Sequence, residues 1–470
     1  MATSQGGRWR RTLTMQSNHR RYTTMSQKLI SLAEYTVQKA MTLGVEEAEA
    51  YLVSSRGTET FIENNDVKIC KSEQSSGIGI RVHLRKSLGF ASSNILSKEV
   101  IQRTIRSAVK IAKASPRDRY LGLPTPKPLP RVNGIYDAEA EELDPSETVK
   151  EAAKMLKSAK AYDRRVTVDS GAFGSCVTEK AVANSHGLTC RERASIFTWA
   201  IMGMALDNGD VSSFDSQFEG THWKKKVDVI PTAEALAKNV IASLNPKRIE
   251  SFRGPVFFSP EVVETLLARP LSSAVSSANI QKGRSPFAKK LNQQIAAKEL
   301  NMVDDATYVN GLSASSFDRE GSPHNPLPIM QNGILSSFLY NAYTGRIEDR
   351  ESTGHAVGGT QAVPGVGTTN LLIGEGKRGA DDILGELKKG ITVTRFSGNI
   401  NSASGDFSGV VKGGSYIEKG KIMHSLKGTL IAGNTYDLLQ KVSSVSRERR
   451  QIGSSLLPSI VVEDVSITSS

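Results

Sequence analysis

Seven histidines and three cysteines are the side chains here most able to bind a metal or act as nucleophiles, and their spacing limits what they can do. A helix-borne zinc site needs two imidazoles one turn apart, with a carboxylate beside the bound water. The histidines are His19, His83, His186, His222, His324, His355 and His424, and the nearest two, His324 and His355, stand 31 positions apart. No helix presents two of them. Cys70, Cys176 and Cys190 form neither a metal spacing nor an even disulfide set, which fits a reducing cytoplasm. No G-x-S-x-G elbow offers a serine nucleophile. The runs Gly354 to Gly359 and Gly374 to Gly379 lack the strand and helix context of a phosphate loop. A metal gathered from His324, His355, Asp304 and Asp305 stays a minor alternative, because Asp304-Asp305 reads rather as a turn cap. The expectation is no catalytic residue and no metal ligand in this chain.

A binding surface is the stronger expectation. From Phe317 to Gly359 the chain reads FDREGSPHNPLPIMQNGILSSFLYNAYTGRIEDRESTGHAVGG. Asn332-Gly333, between apolar runs over 328–330 and 334–340, predicts a hairpin, since both residues accept the positive φ of a tight turn. Downstream, Ser352, Thr353, Gly354, His355, Gly358 and Gly359 open a segment poor in side chains. Such backbone either makes tight turns or pairs with an extended peptide by strand addition. These six residues are the candidate peptide-binding set.

The same stretch, FDREG, NGILSSFLY and STGHAVGG, together with Gly398-Asn399-Ile400-Asn401 and Lys412-Gly413-Gly414, resembles the TldD/TldE (PmbA) family over residues 27–468. That resemblance implies two related subunits forming a peptidase. The TldD-like one carries zinc on an HExxxH helix with a later cysteine, and the TldE-like one lacks the metal. In zinc-binding members the motif follows the strand and cap that here read GPVFFSPE; this chain continues VVETLLARPLSS, with no histidine from 223 to 323 and no cysteine after 190. The implied role is a TldE/PmbA-like non-catalytic subunit of a zinc metallopeptidase complex acting on unfolded peptides or proteins. Zinc is then expected in a TldD-like heterodimer partner and no cofactor in this chain. The alternatives are a homodimeric peptide-binding protein without proteolysis, or a nucleic-acid-associated, gyrase-modulator-like regulator.

The net charge of +12 bears on the last alternative. Clustered cations would bind phosphates, but residues 1–28 alone hold Arg8, Arg10, Arg11, Arg20, Arg21 and Lys28 without an acid. That leaves 12 − 6 = +6 for the other 442 residues, and no nucleic-acid-binding motif accompanies it. Nucleic acid is not an expected partner, nor is a membrane, because no apolar run approaches ~18 residues. The acid-free segment 1–24 resembles a transit peptide in composition but is expected to be a disordered extension or an over-called start, with Met25 the beginning.

Several elements must position these residues. Leu29, Leu32, Ala33, Val37, Ala40 and Met41 recur at helical spacing, strand-like runs follow to Ser93, and a second helix starts after Ser97. Five prolines between Pro116 and Pro130 predict an extended linker. A helix from Pro145 to Tyr162 and strands at 165–169, 173–184, 188–205 and 210–218 come next. Beyond a helix near 232–241 and one opened by Ser259-Pro260, short β segments dominate. The predicted class is α+β: a disordered extension 1–24, an N-terminal helix-and-antiparallel-sheet domain 25–115, a linker, helix and strand meander 116–230, and a larger β-rich C-terminal domain 231–470.

Overall fold

A computed structural model describes residues 28–469, so the extension expected over 1–24 lies outside the described residues. Helix α1, over 28–41, buries Leu29, Ala33, Val37 and Ala40, its three-and-four stripe. Strands β1 (Glu47–Glu63), β2 (Asp66–Leu84) and β3 (Ser87–Ser93) and helix α2 (Lys98–Ala114) follow. Ser97 caps α2 by accepting from Val100 N–H. After the Pro-rich segment come α3 (Pro145–Tyr162), β4 (Val166–Asn184), β5 (Thr189–Asp207), β6 (Asp210–Val211), β7 (Asp215–Thr221) and α4 (Ile230–Ala242).

The seven strands form one antiparallel sheet in the order β3-β2-β1-β4-β5-β6, with β7 also on β5. Because β1 pairs with β2 on one side and β4 on the other, the sheet runs across the Pro-rich segment. The separate runs expected at 165–169 and 173–184 are one strand, and β1 is likewise unbroken over 17 residues. Their Ser, Thr and Gly centres do not turn, because neighbours on both sides satisfy the backbone.

Alternation gives this sheet two faces. Ala50, Leu52, Ile78, Ile80 and Val82 face α1 and α2, and Phe173, Val177, Phe197, Trp199 and Ile201 share a second core with α3 and α4. On the other face, Tyr51, Val182, Leu188 and Cys190 enclose Phe317 from the C-terminal unit.

That unit opens with β8 (Phe252–Phe258) and a helical run of α5 (Pro260–Val263), a π-turn (Glu264–Ala268) and α6 (Arg269–Ala274), then α7 (Ser277–Gln281). Strands β9 (Met302–Asp304), β10 (Leu327–Gln331) and β11 (Ile334–Leu335) lead to α8 (Ala342–Ile347). The hairpin turn holds Asn332 at φ 47° and Gly333 at φ 74°, but its second strand stops at Leu335, short of the 334–340 run. Beyond it Leu339 pairs with Ser276 instead, which takes the chain away from β10.

Next come β12 (Ala356–Val357), β13 (Gly365–Val366), β14 (Leu371–Ile373), α9 (Ala380–Glu386), β15 (Lys389–Ile400), β16 (Asp406–Glu418), β17 (Lys421–Ser425), β18 (Thr429–Asn434), α10 (Thr435–Gln440), β19 (Val442–Ile452) and β20 (Ser455–Ser469). An eleven-stranded sheet runs from β11 through β20 to β8, and β8 returns to pair with β20. The circuit β20-β18-β16-β15-β8 is therefore closed, which removes free edges. Phe258, Val393, Ile431 and Ile460 share its core with Val262, Val263 and Leu266 of the helical run.

Candidate functional site

The FDREG loop joins the two units. Phe317 is fully buried, with Lys180 Nζ 4.6 Å from its ring centre. Arg319 stacks over Tyr51 at 3.9 Å, and its Nη1 donates to Glu49 Oε1 at 3.0 Å. Arg81 then lies between Glu49 Oε2 at 2.6 Å and Glu320 Oε1 at 2.7 Å, while Glu320 Oε2 accepts from Ala342 N–H at the start of α8. Two arginines and two carboxylates are thus buried as a neutral quartet across the junction. Burial opposes the charge on Glu49, but Arg81 and Arg319 outweigh it and lower its pKa. Asp318 differs: burial, with Glu320 beside it, pushes its carboxyl up to about 7, although Glu320, Ser322 and Ala356 N–H all donate to it.

The six candidate residues fall into three settings. Ser352 and Thr353 edge a cleft of about 510 Å³ that also takes in Lys127, Pro323, Arg346 and Arg350. Both hydroxyls are engaged with the Tyr340 backbone, Thr353 Oγ1 accepting from its N–H at 2.8 Å. Gly354 and His355 are buried beneath. Gly354 has φ +76°, and a side chain there would collide with the Pro323 carbonyl. His355 Nδ1 bonds Thr353 O at 2.8 Å, and its Nε2 meets Asp304 Oδ2 at 3.1 Å. Gly358 and Gly359 are exposed, on the far side of β12, and the next residue, Thr360, rests on β2. A Cβ on Gly79 would lie 2.7 Å from Thr360 O, so glycine at that strand position makes room for the loop.

The structure also brings together three of the scattered metal candidates. His324 and His355 stand edge to face, 6.5 Å between centres, with Asp304 on the second ring. Asp304 is saturated, since both its oxygens accept from Thr369. Burial, and then Lys180, hold His324 down at about 3. Asp305 bonds Thr307 N–H at 2.7 Å, an Asx turn. Among the described residues no three His, Cys, Asp or Glu side chains are disposed around a common metal position.

In the helical run, Pro270 lacks the N–H that would bond Leu266 O. The helix widens, with Arg269 N–H reaching back to Glu264 O, and Thr435 Oγ1 supplies Leu266 O with a donor at 2.8 Å. Ser259 Oγ donates to Glu261 Oε2 at 2.6 Å rather than capping the helix, and Glu261 Oε1 pairs with Arg450 at 2.5 Å. Two carboxylates, one committed to an arginine, and no imidazole do not fit a zinc centre of the His-Glu-His type.

The Pro-rich strap connects these parts. Arg346 Nη2 donates to Leu123 O at 2.9 Å, Tyr343 to Asp118 at 2.7 Å, and Lys127 pairs with Glu351 at 2.8 Å.

Family models agree with this architecture. One described as PmbA/TldA metallopeptidase domain 1 matches residues 48–112, the central domain matches 138–244, and the C-terminal domain matches 251–469. The chain belongs to the PmbA/TldA metallopeptidase family. It is 27% identical over 433 residues to metalloprotease PmbA of Escherichia coli, covering 88% of this chain and 92% of that one. A metalloprotease TldD homolog of Buchnera aphidicola is 23% identical over 432 residues, 87% of each chain. The crystal structure of TldE from Thermococcus kodakarensis has a TM-score of 0.88 at 26% identity, covering 93% of this chain and all of that one. Relatives named TldD and relatives named PmbA or TldE are thus both similar to it. No helix among the described residues is long and apolar enough to cross a membrane.

Within the PmbA/TldA frame, motif reading found the FDREG half of the junction but missed its receptor, Glu49 and Arg81. A signal was present. Gly77, Gly79, Arg81 and His83 share one strand face, and glycine beside charge on a face otherwise flanked by isoleucine and valine marks a docking surface.

Proposed function

We propose that this chain is the metal-free, TldE/PmbA-like subunit of a cytoplasmic metallopeptidase complex whose zinc belongs to a TldD-like partner, and that the complex acts on extended, unfolded peptides. The observation that carries the reading is the run after β8, where Ser259, Glu261 and Glu264 occupy the segment in which zinc-binding members hold their histidines, and Glu261 is engaged by Arg450. The similarity to the Thermococcus kodakarensis TldE structure supports the same side of the family. For substrate, Ser352 and Thr353 edge a polar cleft, and Gly358 and Gly359 present bare backbone suited to an extended chain. Gly354 and His355 would act from beneath, by holding that loop.

The test is to purify this chain alone and co-expressed with a family member that carries HExxxH, then measure zinc and peptide cleavage. Zinc and cleavage are expected only with the partner, at one zinc per pair. Full cleavage by the partner alone would overturn the subunit reading. One zinc per isolated chain, lost on His355→Ala, would overturn the metal-free assignment.

A further inference from the structure

A second cleft, of about 730 Å³, opens between β2, the Pro-rich strap and α7–α8, in the range of small-molecule sites. Leu88, Leu121, Ile347 and Val366 make its walls largely apolar. Among the polar side chains that interrupt those walls, Ser115, Asp118, Gln281 and Asn341 included, Arg81 and His83 stand two positions apart on one strand face. They are only 6% and 3% exposed. Arg81 commits Nη1 and Nη2 to Glu320 and Glu49, and His83 commits Nδ1 to Glu47 Oε2 at 2.5 Å. Arg81 Nε and His83 Nε2 are buried and hold no partner. Leaving such groups unmatched costs stability, so a cleft built this way is shaped for a polar group on its occupant.

We propose that this cleft binds a small molecule with an apolar body and a terminal carboxyl, the carboxyl resting on Arg81 Nε and His83 Nε2. Arg81 Nε–H donates to one oxygen, and an imidazolium His83, with Glu47 on Nδ1, donates Nε2–H to the other, a neutral imidazole taking up one proton from solvent on binding. Two hydrogen-bonding groups on one strand face can serve the two carboxyl oxygens, which a hydroxyl or an ammonium cannot supply. Exposed Lys282 at the lining offsets the Asp118 carboxylate, the one acidic side chain that lines the cleft. A fatty-acid-like molecule and the C-terminus of an apolar peptide share this chemistry. The site belongs to this chain alone and stands whether or not a zinc-bearing partner exists.

Calorimetric titration of the full chain tests it, with octanoate, octan-1-ol and octylamine as one series, and acetyl-Ala-Ala-Leu as free acid and as amide as the other. In at least one series the acid is expected to bind at least tenfold more tightly than its uncharged or cationic analogue, a difference of about 1.4 kcal/mol. The series that shows the preference identifies the source. Ala278→Phe, which fills the cleft from a half-buried wall position, should weaken acid binding tenfold or more at an unchanged Tm. Val363→Glu, on the exposed loop at the cleft, should weaken the acid and spare the alcohol. Absence of acid binding at millimolar concentration, equal affinity for acid and neutral analogue, or acid binding untouched by both substitutions would each overturn the proposal.

Discussion

His324 and Glu49 show how much a buried ionisable group depends on its company. His324 is held at about 3 by burial first and by Lys180 second, against about 6.5 in an unfolded chain. Below pH 6.5 the unfolded chain binds a proton that the folded chain refuses, so stability present at neutral pH is lost as pH falls from about 6.5 toward 3. Urea midpoints measured against pH for wild type and His324→Gln should diverge over that window, wild type falling more steeply by up to ~1.4 kcal/mol per pH unit. Parallel curves would mean that His324 is charged in the fold. Glu49 takes both Arg81 and Arg319. Replacing it with Ala leaves two buried guanidiniums with Glu320 as their one remaining carboxylate in the quartet, a loss of about 3–5 kcal/mol. Lys71→Ala, which breaks a surface pair exposed on both sides, should leave the denaturation midpoint in place.

At the scale of the element, two irregularities are held in place by distant residues. The π-turn at Glu264–Ala268 frees Leu266 O, and Thr435 is what satisfies it. Thr435→Val keeps the volume and removes the donor, so a buried carbonyl is stranded at a cost of about 1–3 kcal/mol by chemical denaturation. An unchanged midpoint would show that water takes over. The second irregularity is the hairpin turn. Gly333 has φ +74°, and a Cβ there would also overlap the Ala296 carbonyl. Gly333→Val therefore faces backbone strain of at least ~1 kcal/mol and a collision in addition. Because Gly333 O accepts from Ile295 and Ala296 N–H, the damage should spread to the 290–300 segment. Hydrogen exchange at those two amides should speed up in the variant.

For the whole molecule, the question is whether the two units unfold together. Phe317 is fully buried in a pocket made by the N-terminal sheet, and the charged quartet surrounds its neighbours. Phe317→Ala should cost about 3–5 kcal/mol and, because the lost contact is between units, turn one calorimetric transition into two. A single transition shifted to lower temperature would mean that the strap and the 358–363 loop suffice to couple the units.

Local sequence was enough to determine the amphipathic helices, the Asn332-Gly333 turn, the α+β class and the missing histidine pair after GPVFFSPE, because each depends on spacing within about one turn or one strand. Glu49, Tyr51 and Arg81 read only as strand residues, and their role appears when Phe317 and Arg319, some 270 positions later, arrive on the same face. The same holds for Gly79, whose reason is Thr360, and for Thr435, whose reason is Pro270. Strand length was misjudged where Ser, Thr and Gly looked like breaks, since partners on both sides override weak local preference. His355 stood out by its setting between glycine and alanine, yet only the fold could bring it against Asp304 and His324 and commit both its nitrogens. Side-chain chemistry is written locally, but burial and partnership are set by contacts between residues far apart in the chain, which no local pattern records.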